Sequence, residues 1–290
     1  MTQDLTQAAL QRLCECQDAR FKTVMSSLIT HLHDFIRDVN LTGEEWMTAI
    51  NFLTDTGKAC TDMRQEFILL SDTLGVSMLV VLLNQHRGAE AVEATVQGPY
   101  YWEGAPQMEN GANIAEGVKG EPTYYSGRVL DEHSTPIANA CLDVWSGDGE
   151  GNYDMQLEGK KEMRARAKLY TDADGRYAFW SIRPSYYPVP VDGPVGKMLL
   201  KMGRHPNRPG HMHFMLSAAG FESVTTHLFV ADSPYLDSDA VFGVRDSLIV
   251  PFTKHPAGVA PDGSKQDRTY YTACYDFQLT RAGAADSKSA

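Results

Sequence analysis

The hydrophobic period of this chain changes once, near "GPYYWEGAP" (Gly98–Pro106), and that change most limits the folds open to it. Upstream, Phe21, Val24, Met25, Leu28, Ile29, Leu32, Phe35, Ile36 and Val39 recur at i, i+3, i+4 and i+7, which puts them on one stripe of a helix. "LTGEEW" then offers a capping box, with Thr42 as N-cap and Glu45 three residues on. A second periodic segment runs from Met63 to Leu83, and glycine and proline stay sparse until Gly98. Downstream the period shortens. "CLDVW" alternates, "YTDADGRYAFW" sets an Asp-Ala-Asp-Gly turn between two strand-like runs, and "SAAG" lies between "GHMHFML" and "VTTHLFV". Short strands broken by turns point to an antiparallel sandwich or barrel. The expected class is therefore α+β: a helical domain over 1–97, an antiparallel β-sandwich over 98–281 and a flexible tail over 282–290.

Charge narrows the partners. With 37 acidic and 26 basic residues the chain carries a formal net charge of -11, whereas nucleic acid and anionic membranes select for clustered Lys and Arg. The longest apolar run, "SMLVVLL", is too short to span a bilayer. Five cysteines (Cys14, Cys16, Cys60, Cys141, Cys274) form no CxxC pair, which suits reduced thiols in the cytoplasm. The first residues carry no basic segment followed by an apolar core, so no signal peptide is expected.

The chemistry gathers around "RPGHMHFML" (Arg208–Leu216). On a strand, alternate side chains share a face, so His211 and His213 project side by side. Alone, such a pair reads as two core histidines bonded to backbone more readily than as a metal clip. Two tyrosines supply possible company: Tyr153 in "GNYD" and Tyr187 in "PSYYP", although tyrosines flanked by Gly and Pro also serve as aromatic plugs. Two phenolates and two imidazoles together suit ferric iron, because phenolate is a hard anionic donor and zinc prefers thiolate, imidazole or carboxylate. A zinc hydrolase and a non-catalytic sandwich module remain the rival readings.

Several segments, in order, carry a family likeness: "EFILLSDTLGVSMLV", "ATVQGPYYWEGAP", "LYTDADGRYAFWSIRP", "GRHPNRPGHMHFMLSAAGF" and "YLDSDAVFGVRDSLIV". The chain resembles the intradiol ring-cleaving dioxygenases, the ferric catechol 1,2-dioxygenase group, over nearly its whole length. Within the group it looks most like members that open hydroxyquinol (benzene-1,2,4-triol) with O2 to maleylacetate. Catechol and chlorocatechol enzymes, which give muconates, are near alternatives. The resemblance implies Fe(3+) held by Tyr153, Tyr187, His211 and His213, with Tyr187 displaced by substrate as a general base and Arg208 as a catalytic charge. It places pocket walls on Leu69, Asp72, Val96, Gly98, Pro99, Tyr100, Val189, Pro190 and Val241. Asp72 is the specificity candidate, a carboxylate expected to accept a hydrogen bond from a third ring hydroxyl, while "SDTLG" equally reads as an ordinary helix end. Gln97 and Tyr100 are expected to make the wall more polar. His227 stands where catechol-type relatives carry Gln, and is expected to donate a hydrogen bond beside the centre rather than to be a fifth ligand. The resemblance also implies a homodimer through the N-terminal helices, in some members with a phospholipid at the interface.

Overall fold

The structure, a computed structural model, describes residues 2–62, 64–85, 91–157 and 162–283. Met63 and residues 284–290 of the expected tail lie outside the described residues. The chain divides into two compact units, Met1–Asp55 and Thr56–Ala290.

The first unit is helical: α1 (Thr2–Gln11), α2 (Ala19–Asp38) and most of α3 (Gly43–Ala59). Asp18 caps α2 by accepting the Phe21 N–H at 2.8 Å. The capping box read from "LTGEEW" forms as expected. The Thr42 N–H donates to Glu45 Oε2 at 2.9 Å, and the Glu45 N–H donates to Thr42 Oγ1 at 3.3 Å. Thr6 joins α1 to α2 by bonding His33 Nδ1 at 2.9 Å. The stripe on α2 is left uncovered on the chain: Phe21, Val24, Leu28, Leu32, Phe35, Ile36 and Val39 are all exposed.

The second unit begins with α4 (Glu66–Thr73) and α5 (Val76–Asn84), which bend by 74° at Gly75. Among the described residues no single helix is long and apolar enough to cross a membrane. The strands follow: β1 (Pro122–Asp131), β2 (Cys141–Trp145), β3 (Arg166–Tyr170), β4 (Arg176–Ile182) and β5 (Tyr187–Pro188). A short helix, α6 (Pro194–Lys201), precedes β6 (Asn207–Arg208), β7 (His211–Ser217) and β8 (Val224–Val230). The C-terminal strands are β9 (Ile249–Val250), β10 (Thr253–His255), β11 (Gly258–Val259), β12 (Lys265–Gln266), β13 (Tyr270–Cys274) and β14 (Phe277–Leu279).

Two five-stranded sheets form the sandwich. One has the order β3-β2-β7-β8-β9; the other runs β10-β13-β1-β14, with β4 also paired to β1. Pairing is antiparallel in the main, as expected, but β1 runs parallel to β13 and β14, and β8 runs parallel to β9. Parallel pairing needs a long crossover, and here most of the domain lies between β1 and its C-terminal partners. Tyr125, Val129, Tyr177 and Phe179 of one sheet share a core with Leu142, Val144, Leu169, Phe214 and Leu216 of the other. Since β strands alternate, this core assigns the opposite face of β2, β7 and β8 to Trp145, His211, His213 and His227. That face is buried as well.

Candidate metal centre

Register builds the centre from separate strands. His213 lies directly opposite Trp145 on one side and His227 on the other, and His211 stands one alternate position along β7. The three imidazoles are buried and their nearest ring nitrogens lie within 4.8 Å of one another, an arrangement that could hold a metal ion. His211 Nε2 is 3.2 Å from His213 Nε2. Its own Nδ1 lies 2.7 Å from Pro209 O, a pure acceptor, so Nδ1 carries the hydrogen and Nε2 presents a lone pair inward. Burial, with Arg208 adding to it, lowers the His211 pKa to about 3. Burial and the neighbouring histidines hold His213 and His227 well below their usual value. Neutral imidazoles crowded this closely fit a site that holds a cation.

Two phenols reach the same place, one from a loop and one from a short strand. Tyr153, between β2 and β3, puts Oη 3.0 Å from His213 Nε2. The next residue, Asp154, accepts from Arg166 Nε at 2.7 Å and from the Arg164 N–H at 3.0 Å, and this buried anchor fixes the loop. Burial drives the Tyr153 phenol well above its usual pKa, so ionising it requires a compensating positive charge nearby. Tyr187 sits on β5 with its ring edge-on to Tyr153 at 5.3 Å. Its neighbour Tyr186 faces the other way, 45% exposed and against Tyr235, so the second tyrosine of "PSYYP" is the one at the centre. Gly151 makes the approach possible. It has φ +87°, and a Cβ there would stand 2.7 Å from Tyr187 Cβ.

Arg208 pairs with Tyr187 across β5 and β6. Its Nη1 donates to His211 Nε2 at 3.3 Å and reaches Tyr187 Oη at 3.5 Å. Its Nε and Nη2 donate to the two oxygens of Asp239 at 3.0 and 3.3 Å. Burial alone would raise the Asp239 pKa, but the Arg208 charge and its hydrogen bonds outweigh burial, and the net shift is downward. Arg208 is thus both a buried ion-pair partner and a charge aimed at the centre.

The expected pocket residues fall into two groups. Leu69, Pro99, Tyr100, Val189 and Pro190 line one cavity of about 460 Å³, together with Arg64, Met155 and Asp192. Val96, Asp72 and Val241 are buried and do not line it. Gly98, at φ +75°, is backed directly by His213 Cε1, 3.5 Å from where a Cβ would stand. Burial raises the Asp72 pKa, while Ser77 and the Arg208 charge act against that rise. Gln97 is exposed and takes no part in the wall; Tyr100 does, its hydroxyl buried with no hydrogen-bond partner among the described residues and its ring stacked on Tyr153 at 4.5 Å. Three residues escaped sequence reading: Asp239, Trp145, which stacks on His213 at 4.6 Å, and Thr95, which bonds His227 Nδ1. Asp239 lies inside the quoted segment "YLDSDAVFGV", but nothing in its spacing ties it to an arginine 31 residues earlier.

Fold and centre together define a class: a β-sandwich enzyme whose sheet floor gathers histidines able to hold a metal ion. The family described as "Dioxygenase" matches residues 96–280, and "Catechol dioxygenase N terminus" matches residues 18–92. The chain is 49% identical over 255 residues to a 6-chlorohydroxyquinol 1,2-dioxygenase of Cupriavidus pinatubonensis, covering 88% of this chain and 92% of that one. It is 45% identical to a hydroxyquinol 1,2-dioxygenase of Nocardioides simplex, covering 97% and 96%. The solved structure of hydroxyquinol 1,2-dioxygenase from Pseudomonas putida DLL-E4 superposes with a TM-score of 0.90 at 43% identity, covering 97% of this chain and 98% of that one. The chain belongs to the intradiol ring-cleavage dioxygenase family. It is therefore an enzyme, and the non-catalytic module falls away.

Proposed function

We propose that this enzyme opens hydroxyquinol with O2 between its two adjacent hydroxylated carbons to give maleylacetate, with Fe(3+) held by Tyr153, Tyr187, His211 and His213. The observation that carries the reading is the convergence of two phenols, two imidazoles and a paired guanidinium, with Tyr153 Oη 3.0 Å from His213 Nε2 and His211 Nε2 3.2 Å from it. When bound, ferric iron supplies Lewis acidity toward the two adjacent oxygens of a diol and a path for electrons from ring to O2.

The chain's own groups do the rest. Tyr187 Oη takes up a proton from a substrate hydroxyl as general base. Arg208 Nη1, 3.5 Å from that oxygen, places its charge beside the negative charge that develops on the deprotonated substrate, and Asp239 fixes the guanidinium so that no reorganisation is needed. Leu69, Pro99, Tyr100, Val189 and Pro190 bound the ring and exclude water, with Gly98 against His213, while Val96 and Val241 are buried off that cavity. Asp72, already hydrogen-bonded by Ser77, accepts a further hydrogen bond from a third ring hydroxyl, which plain catechol does not supply. In this reading residues 1–97 form the dimerisation arm, 98–281 the catalytic domain, and the location is cytoplasmic. The exposed stripe on α2 supports a homodimer through these helices, with a phospholipid as a further occupant of that interface.

The test is metal analysis and a visible spectrum of the purified protein, followed by O2 uptake with hydroxyquinol, catechol and chlorocatechols. Equimolar iron, a red-brown absorption and fastest turnover of hydroxyquinol are expected. A colourless protein containing zinc overturns the iron assignment, and faster turnover of catechol overturns the substrate.

A further inference from the structure

The three histidines of the centre look equivalent by position: all are buried, with nitrogens within 4.8 Å of one another. Their outer partners are not equivalent. His211 Nδ1 meets the carbonyl of Pro209, which can only accept, and this leaves a lone pair on Nε2. His227 Nδ1 meets instead the hydroxyl of Thr95, which can donate or accept.

Burial decides between the two. Thr95 is 2% exposed, and among the described residues its hydroxyl has no other hydrogen-bond partner. If His227 Nδ1 carried the ring hydrogen, the Thr95 hydroxyl hydrogen would be buried without an acceptor, which folded proteins avoid. If the hydroxyl donates to Nδ1, both groups are satisfied and the ring hydrogen sits on Nε2. That nitrogen is buried with no hydrogen-bond partner among the described residues, on a side chain that stands opposite His213. The hydroxyl cannot drift, because the Thr95 N–H donates to Thr225 O at 2.9 Å and pins this residue against β8.

We propose that Thr95 is a positioning residue that fixes His227 as an N–H donor toward an oxygen held at the centre, and so prevents it from serving as a third histidine ligand. The assignment rests on the ferric ring-cleavage reading above and answers what a histidine does where the resemblance puts a glutamine in catechol-type members. Glutamine always carries amide N–H groups; a histidine carries hydrogen on the inward nitrogen only if something outside selects that tautomer.

The experiment measures iron content, visible absorption, kcat and KM in His227→Ala, His227→Gln, Thr95→Val, Thr95→Ser and the Thr95→Val/His227→Gln pair. His227→Ala should keep the iron stoichiometry and absorption of the parent while kcat falls about 10-fold or more, and His227→Gln should recover most of it. Thr95→Val should lower kcat with KM nearly unchanged, and Thr95→Ser should restore it. In the His227→Gln background, Thr95→Val should cost less than about twofold, since no tautomer remains to be chosen. Loss of iron in His227→Ala, or an equal cost of Thr95→Val in both backgrounds, would overturn the assignment. A parent enzyme that holds no iron and cleaves no diol sinks the ferric reading itself and takes this assignment with it.

Discussion

Replacing Asp239 with asparagine removes the counter-charge from a guanidinium that is 2% exposed and held at 3.0 and 3.3 Å. Asparagine keeps the shape and can still accept from the Gly243 N–H, now 2.9 Å from Oδ2, so the change isolates charge from packing. Breaking one partner of a buried ion pair costs about 3–5 kcal/mol, because the remaining charge is left uncompensated. For a domain of this size about 1 kcal/mol moves Tm by roughly 2–4 °C, so Tm should fall by about 6–20 °C. The sign with pH follows from the lowered Asp239 pKa. A carboxylate depressed on folding stabilises the native state above its unfolded pKa, about 3.9, and that contribution is lost as pH falls through the folded value. The gap between parent and variant should therefore be full at neutral pH and shrink below about pH 4. Thermal scans of both proteins across that range measure it. A loss under about 1 kcal/mol at neutral pH, or a gap that widens on acidification, refutes the argument. Should Asp239→Asn fail to fold, the Arg208→Met/Asp239→Leu pair supplies the check. Removing both charges should recover most of the stability while ring cleavage stays lost, which separates the structural role of the pair from its role at the centre.

Further outcomes follow from the same geometry. Asp72→Ala should lower kcat/KM for hydroxyquinol relative to catechol by roughly 10-fold, the value of one hydrogen bond to a buried carboxyl, and an unchanged ratio would remove Asp72 from the specificity wall. Tyr187→Phe should abolish ring cleavage and alter the visible spectrum, whereas Tyr186→Phe, exposed against Tyr235, should leave both intact; comparable effects of the two would reverse their roles. Gly151→Val puts a branched side chain at φ +87° against Tyr187, and should cost about 1–3 kcal/mol in chemical unfolding and weaken metal retention on dialysis. A fully stable, fully loaded variant would show that the loop can move aside.

Much of the centre was readable because it rests on short-range rules. The alternation of "HMHF" puts both histidines on the face opposite Met212 and Phe214, and the capping box at Thr42 needs only three residues of spacing. What escaped depends on long-range pairing. Thr95 meets His227 across 132 positions, and only the β7–β8 register shows that His227 stands opposite His213. Asp239 reaches Arg208 from a loop whose path no local pattern dictates. The α2 stripe shows the limit from the other side: its period was legible, but most of its side chains stay exposed, with Met25 and Ile29 half-buried, and periodicity does not say what an apolar face meets.

The pairing of β1 also sets an order of assembly. This strand, Pro122–Asp131, has β4 as a partner close behind it, but its parallel partners β13 and β14 end only at Leu279. During synthesis the histidine-bearing sheet can pair through β8 long before those last strands leave the ribosome. The core that Phe277 and Leu279 share with both sheets waits for the end of the chain. A chain cut short before Tyr270 would therefore carry every histidine-bearing strand yet lack both parallel partners of β1.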